Sequence, residues 1–138
     1  VHIGSHTLIG TLSSIAGATV GEETFLASGS RLFNGALIGP RCEVRVNAIV
    51  LRRAVLPEGT VVPIGWVAVG DPAQLFSPDR EAEIAAAQPD LDFPGHVFGV
   101  DRDTPDLMVQ LTERYGTSLA RHAHDVSIDG AHHRQHRA

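Results

Sequence analysis

The sequence predicts an all-β solenoid with C-terminal helices, in which short parallel strands stack in successive coils. Three observations predict it: an aliphatic residue recurs every six positions, a small residue follows it four positions later, and helical patterning begins only after the repeats end. A helix returns to one face about every 3.6 residues and a strand every second residue, so a step of six fits neither alone. The period indicates one short strand and one corner per repeat.

The regular part of the repeat runs from Val20 to Val62. Its aliphatic positions are Val20, Leu26, Leu32, Ile38, Val44, Val50, Leu56 and Val62. The small residues that follow them are Thr24, Ser30, Ala36, Cys42, Ala48, Ala54 and Thr60. We expect the aliphatic side chain to fill the interior of a coil and the small one to let its neighbours pack. A coil of this kind buries its apolar face only against the next coil, so none is expected to fold alone.

The repeat extends upstream through Ile3, Ile9 and Ile15, but the step from Ile15 to Val20 is one residue short. Glycine or alanine follows six of the aliphatic residues directly, at Gly4, Gly10, Ala16, Gly21, Ala27 and Gly39. We expect tight corners there, which leave little room for a side chain and often require a positive φ. No capping segment precedes the first repeat, and solenoids need one. The sequence therefore suggests that an N-terminal part lies outside this chain.

Composition excludes several classes of function. The chain has 138 residues, 43% of them hydrophobic, and a net charge of -5. The negative charge argues against a nucleic-acid partner. No basic segment leads into an apolar one at the N-terminus, and no apolar run approaches the roughly 20 residues of a membrane span. We therefore expect no membrane association and a cytoplasmic protein.

Three regions are expected: a β-helix over residues 1–73, an appendage over 74–121 packed on it, and a disordered histidine-rich tail over 122–138. Trp66 is expected to act as a packing lid where the repeat ends. In the appendage, Ser77, Pro78 and Asp79 predict a helix start, with the helix continuing through Ala87. The segment 88–99 is expected to be extended because it contains two prolines and two glycines. Thr104, Pro105 and Asp106 predict a second helix with an apolar stripe at Leu107, Leu111, Tyr115 and Leu119.

Few residues suggest metal or redox chemistry. Cys42 is the single cysteine and stands at a small inward position, so we expect a packed core thiol. The histidines of the tail are spaced without the pattern of a tetrahedral zinc site, which predicts weak adventitious binding at most. Arg45, Arg52 and Arg53 form a local basic patch that is either a small-anion site or a set of surface ion pairs.

Once the repeats are aligned, residues 1–73 resemble the γ-class carbonic anhydrases, which are trimeric left-handed parallel β-helices of hexapeptide repeats with a C-terminal helix. The resemblance rests on three features of the sequence. They are the short step from Ile15 to Val20, the run from Leu26 to Gly39 with Asn34, Gly35 and Ala36, and the exit Val69, Gly70, Asp71, Pro72 and Ala73. It implies a homotrimer with sites between the subunits.

The same resemblance locates the family's zinc ligands and finds other residues there. In catalytic members three histidines hold the zinc, two of them in a stretch that corresponds to Gly10–Gly17. The two ligand positions are Thr11 and Ala16, and neither side chain replaces an imidazole. The third ligand would lie upstream of Val1. We therefore expect no metal site and no resident cofactor, with a displaced site at His2 and His6 as the less favoured alternative.

Three functions remain open from the sequence. The first is a carbonic-anhydrase-like trimeric scaffold without ordinary zinc-dependent CO2 hydration. The second is a hexapeptide-repeat acyltransferase, for which His96 is the one candidate base, since such enzymes generally need a histidine. The third is a binding module that holds a small anion in the cleft between subunits through Arg45, Arg52 or Arg53.

Overall fold

The computed structural model describes residues 1–126 and contains a parallel β-solenoid of about four turns, followed by helices. The solenoid fold predicted from the six-residue period is confirmed. The chain forms two compact units, residues 1–91 and residues 92 onwards. The predicted packing of an appendage on the β-helix stays a prediction. Of the predicted disordered tail, residues 127–138 lie outside the described part of the chain.

Unit 1 contains short strands of two or three residues. They are β1 (His2–Ile3), β2 (Leu8–Ile9), β3 (Ser14–Ile15), β4 (Thr19–Val20), β5 (Phe25–Leu26), β6 (Arg31–Leu32), β7 (Leu37–Ile38), β8 (Glu43–Val44), β9 (Ile49–Val50), β10 (Val55–Leu56), β11 (Val61–Val62), β12 (Val67–Val69) and β13 (Gln74–Phe76). Strands β1–β3 form coil 1, β4–β6 coil 2, β7–β9 coil 3 and β10–β12 coil 4.

Three sheets form the sides of the solenoid. Sheet A contains β1, β4, β7 and β10; sheet B contains β2, β5, β8 and β11; sheet C contains β3, β6, β9 and β12, with β13 added antiparallel at its end. Strands of successive coils pair in parallel, as in Ile3 with Val20 and Val20 with Ile38. We call the turns between the sheets the A–B, B–C and C–A corners. Each corner therefore stacks on the equivalent corner of the next coil.

The core is the inward-facing column of the coils. All eight aliphatic residues of the regular repeat are buried, and so are the small residues that follow them, except the half-buried Thr60. Polar members of this column have partners: Thr24 donates to the carbonyl of Gly39, and Ser30 bonds to the hydroxyl of Ser13 at 3.1 Å. Within residues 1–126, no buried side-chain nitrogen or oxygen lacks a partner. This confirms the prediction that the aliphatic residue of each repeat fills the interior and that the small residue packs beside it.

The corners use glycine for two different reasons. Gly4, Gly10, Gly21 and Gly39 do not have a positive φ, so that part of the expectation is wrong. They are required because a Cβ there would collide with the backbone of the next coil, at 2.6 Å from the Pro40 nitrogen in the case of Gly21. A left-handed residue comes two positions later in most corners, and one position after Ala16 in the shortened corner that follows Ile15. These left-handed residues are His6, Leu12, Gly17, Glu23, Gly29, Gly35, Arg41, Asn47, Arg53, Gly59 and Gly65.

The C-terminal end of the solenoid is covered. Trp66, Ala73 and Leu75 pack against the inward column, so the predicted lid is confirmed. Helix α1 (Glu81–Ala87) places Ile84 in a second cluster, together with Leu51, Val67, Val69 and Phe76. The helix begins at Glu81 and not near Pro78, because the N–H of Arg80 first closes a turn onto the carbonyl of Ser77 at 3.0 Å. The hydroxyl of Ser77 also lowers the pKa of Asp79, which fits this local turn.

The expectation of an extended segment at residues 88–99 is wrong. A 3₁₀ turn forms at Pro89–Leu91, and helix α2 spans Phe93–Phe98 in unit 2. Pro94 stands in the first turn of this helix, where no backbone N–H is needed, and Gly99 ends it with a φ of 62°. Proline and glycine therefore mark the ends of a short helix here and do not exclude one.

Helix α3 (Leu107–Ala120) begins where the sequence predicts. Of the predicted apolar stripe, only Leu111 is buried; Leu107 is half-buried, and Tyr115 and Leu119 are exposed. Phe98 makes edge-to-face contacts with Phe93 and Tyr115, with ring centroids 5.4 and 6.4 Å apart. Among residues 1–126, no helix is long and apolar enough to cross a membrane.

We predict that Gly21→Ala destabilises the solenoid by about 1–3 kcal/mol, since the added methyl group must displace the backbone of the neighbouring corner. Urea unfolding followed by the fluorescence of Trp66 measures this. Glu22→Ala, at the next and exposed position, is the matched control and should change stability by less than about 0.5 kcal/mol. Equal stability of Gly21→Ala and the wild type would contradict the close approach of the corners.

Candidate functional site

Thr11 and Ala16, the positions that the sequence resemblance aligns with zinc ligands, lie on two different corners of coil 1. Thr11 is in the B–C corner and Ala16 is in the C–A corner, so strand β3 separates them. Both are exposed. The hydroxyl of Thr11 shares a hydrogen bond of 3.3 Å with that of Ser28, and the N–H of Ala16 donates to the Leu32 carbonyl at 2.9 Å. A hydroxyl and a methyl group thus occupy these positions.

The histidines of the described chain are His2, His6, His96, His122 and His124. His2 faces outward on sheet A opposite Thr19, and His6 lies in the A–B corner with a φ of 55°. His96 lies on α2 in unit 2, and His122 bonds Asp125 at 2.6 Å. Within residues 1–126, no three histidine, cysteine or carboxylate side chains come close enough to hold a metal ion.

The arginines predicted as one patch are distributed over two corners of coil 3. Arg45 lies in the B–C corner, and its Nε donates to Glu43 at 3.0 Å. Arg52 lies in the C–A corner and donates to Asp90 at 2.8 Å. Arg53 follows it and is in no ion pair within residues 1–126. Arg45 and Arg52 are therefore in ion pairs, which is one of the two predicted roles of the patch, and the small-anion role stays a prediction.

Arg53 is held by the stacking of the C–A corners. Gly17, Gly35 and Arg53 form a column of left-handed residues, with φ values of 60°, 77° and 58°. The N–H of Arg53 donates to the Asn34 carbonyl at 3.1 Å. A Cβ built on Gly35 would stand 3.1 Å from the Cγ of Arg53. Glycine at position 35 therefore leaves room for the stem of the arginine, a link between Asn34, Gly35 and Arg53 that sequence reasoning missed.

Arg52 belongs to a partly buried polar network. The carboxylate of Asp90, whose side chain is only 9% exposed, accepts from Arg52 and also from the Gln88 amide at 2.5 Å. Gln88 itself is buried. The ion pair therefore ties the C–A corner of coil 3 to the segment that follows α1. The sequence could not predict it because the partners are far apart in the chain.

A second charged corner was not predicted. The A–B corners carry Glu22, Glu23 and Glu58 around Arg41, and Arg41 forms an ion pair with Glu58. The hydrogen bond to Glu58 raises the pKa of Arg41 above its usual value. These side chains are exposed, so the corner is a solvated ion-pair cluster.

Cys42 is a packed core thiol, as expected. It is 2% exposed, and its Sγ donates to the Pro57 carbonyl at 3.2 Å. Burial raises the pKa of the thiol, which lowers the fraction of reactive thiolate at neutral pH. The residue therefore contributes to packing and not to chemistry.

Unit 2 contains an apolar cavity of about 560 Å³ between α2 and α3. Phe93, Val97, Phe98, Met108 and Tyr115 are among the residues that line it. No charged side chain is among its lining residues, and its polar groups are the hydroxyls of Thr112, Tyr115 and Ser118.

No family model matches this chain, and a search of curated proteins also finds no match.

We predict that Arg52→Ala lowers the free energy of unfolding by about 1 kcal/mol or more, because it leaves the poorly exposed Asp90 carboxylate without its cation. Arg53→Ala is the matched control at the adjacent position and should stay within about 0.5 kcal/mol of the wild type. Urea unfolding curves followed by Trp66 fluorescence compare the two. Equal losses would show that the pair with Asp90 does not stabilise the fold.

Proposed function

We propose that this chain is a γ-class carbonic anhydrase-like hexapeptide-repeat protein without the ordinary zinc-dependent CO2 hydration. In this proposal it assembles as a homotrimer and holds a small anion between subunits. The observation that carries the proposal is the pair of residues at the ligand positions, Thr11 and Ala16, beneath coil 3 corners that carry arginine. The fold supports a hexapeptide-repeat protein, and the residues argue against the metal.

Zinc hydration needs imidazole ligands and a metal-bound water of lowered pKa. No histidine occurs between His6 and His96, so the regular coils contain none of the ligands that this chemistry requires. The hydroxyl of Thr11 is hydrogen-bonded to the hydroxyl of Ser28, which makes it a still poorer zinc ligand.

A trimer is supported by apolar side chains on the outside of the solenoid. Leu12, Val46 and Ile64 lie in the B–C corners of coils 1, 3 and 4, and all three are exposed. Phe25 and Leu37 are exposed on sheets B and A, whereas Ile49 on sheet C is partly covered by the cluster around Ile84. Association with another copy would bury exposed apolar side chains of this kind.

The same arrangement supports an anion between subunits. If the B–C corner of one copy faces the C–A corner of the next, as the family's shared zinc site implies, then Arg45 and Arg53 meet at the level of coil 3. Arginine binds carboxylate-like and phosphate-like anions in a bidentate manner. Arg53 has no ion pair within the described chain and is the better placed of the two.

The trimer geometry can be tested by cross-linking. A Thr11→Cys, Ala16→Cys variant should form intermolecular disulfides under mild oxidation, because these positions of neighbouring copies are expected to meet. Denaturing electrophoresis without reductant should then show covalent trimers. Each single variant is a control and should not form them, and Cys42 is buried. Only monomers in the double variant, from a protein that light scattering finds trimeric, would place other corners at the interface.

Anion binding can be tested by calorimetric titration with bicarbonate and with inorganic phosphate. We expect Arg53→Ala to weaken binding about tenfold or more, which corresponds to about 1.4 kcal/mol. Arg80→Ala, which removes an exposed arginine paired with Glu83, is the control and should bind as the wild type does. Binding that is unaffected by Arg53→Ala would remove this residue from the site.

Assays of CO2 hydration and acetyl-coenzyme A turnover on one preparation separate the remaining alternatives. We expect neither activity. Turnover of acetyl-coenzyme A that is lost in His96→Ala would favour the acyltransferase, although His96 lies exposed on α2. Zinc-dependent CO2 hydration would contradict the proposal outright.

A further inference from the structure

We propose that Asn34 is a deamidation site whose reaction is held back by the stacking of the C–A corners. In this reaction the side-chain amide leaves as ammonia, and aspartate or isoaspartate takes the place of the asparagine. The proposal goes beyond the trimer and the anion site and depends on neither.

The first observation is the dipeptide itself. Asn34 is exposed in the C–A corner of coil 2 and is followed by Gly35. The backbone nitrogen of the residue after an asparagine can attack the side-chain amide carbon, and a side chain on that residue hinders the approach. Glycine has no side chain and gives the backbone the greatest freedom to bring the two atoms together. The other asparagine of the chain, Asn47, is followed by alanine.

The reaction needs only water and hydroxide. The N–H of Gly35 loses its proton to hydroxide, and the nitrogen forms a bond to the Cγ of Asn34. The bond from Cγ to Nδ2 breaks, and ammonia leaves with a proton from water. Water then opens the succinimide ring. Cleavage at Cγ gives aspartate, and cleavage at the former backbone carbonyl gives isoaspartate, in which the main chain passes through the side chain.

The second observation is that the peptide group between Asn34 and Gly35 is hydrogen-bonded to the coils on both sides. Its N–H donates to the carbonyl of Gly17 in coil 1 at 2.9 Å, and its C=O accepts from the N–H of Arg53 in coil 3 at 3.1 Å. The nitrogen must lose its proton and the peptide group must turn before the ring can close. The stacked corner therefore opposes the reaction, and local opening of the corner permits it.

The third observation concerns the side chain of Asn34, which lies against the same corner of coil 1. A Cβ built on Gly17 would stand 3.4 Å from both the Cγ and the Nδ2 of Asn34. The N–H of Gly35 also points to Gly17, so the amide carbon and the N–H lie on the coil 1 side of this peptide group. The two reacting groups are thus neighbours in the folded corner, and the backbone hydrogen bonds hold the peptide group in place.

Isoaspartate at position 34 would disrupt the stack. The carbonyl that accepts from the N–H of Arg53 would become part of a free carboxylate, and the main chain would gain one atom between two hydrogen-bonded coils. Both products also add a negative charge to the C–A corner of coil 2. Protection of Asn34 by the fold therefore preserves the stacking that provides the protection.

The test compares the rate of deamidation in the folded and the unfolded chain. The full chain is incubated at mildly alkaline pH in buffer and in a denaturing concentration of guanidinium chloride, and its peptides are mapped by mass spectrometry. Deamidation is measured as the mass increase that accompanies replacement of an amide by an acid. We expect Asn34 to react at least about tenfold faster in denaturant than in buffer, because the folded corner is closed most of the time.

Asn47 is the internal control, and it should stay almost unmodified in both solutions. Hydrogen exchange at the Gly35 amide measures the opening of the corner independently and should be slowed by the fold to a similar degree, since both reactions need the same N–H to be released. Equal rates at Asn34 and Asn47 in denaturant would overturn the assignment of the site. Equal rates at Asn34 in buffer and in denaturant, or an unprotected Gly35 amide in the native protein, would overturn control by the stacking.

Discussion

The packing of each coil on the next is the interaction on which the rest of this structure depends. A two-residue strand has one inward side chain and too few hydrogen bonds to persist alone. When the coils stack at a fixed register, their inward side chains form a continuous core. Val20, Leu26, Leu32 and the equivalent residues of the later coils are almost completely buried in it. The six-residue period is the consequence in sequence of this one requirement, since every strand must return its aliphatic residue to the same interior.

The corners follow from the same stacking. Each strand is hydrogen-bonded to the equivalent strand of the next coil. The chain must therefore turn within a few residues and pass close to the corner of the neighbouring coil. Gly21 allows this approach, and a left-handed residue later in the corner, such as Arg53, completes the turn. That second position accepts histidine, leucine, glutamate, arginine and asparagine as well as glycine, although left-handed backbone costs an L-residue about 1–2 kcal/mol. The corners are consequently where the chain can vary its side chains, and the core is where it cannot.

This division explains how a fold can keep its form while the chemistry of a site changes. Thr11 and Ala16 lie outside the core, so a change of side chain at either position leaves the stacking intact. The arginines of coil 3 stand on the same two types of corner, where Arg52 stabilises a poorly exposed carboxylate and Arg53 is left with its charge unpaired in the described chain. The proposed change from metal chemistry to anion binding is a change at the corners alone.

The sequence by itself determined the solenoid, the inward column, the packed Cys42, the Trp66 lid and the start of α3, because each depends on local spacing or on a repeat that can be counted. Thr11 and Ala16 were singled out only through the resemblance to the γ-class carbonic anhydrases, as the positions aligned with zinc ligands. The helix at Phe93–Phe98 was missed, since proline and glycine at the ends of a short helix look in sequence like those of an extended loop. Only the tertiary structure decided that Arg45 and Arg53 stand on different corners, that Arg52 reaches Asp90, and that Gly35 makes room for Arg53. These are contacts between coils or between distant segments. The six-residue period does not determine which outward side chains of neighbouring coils come into contact.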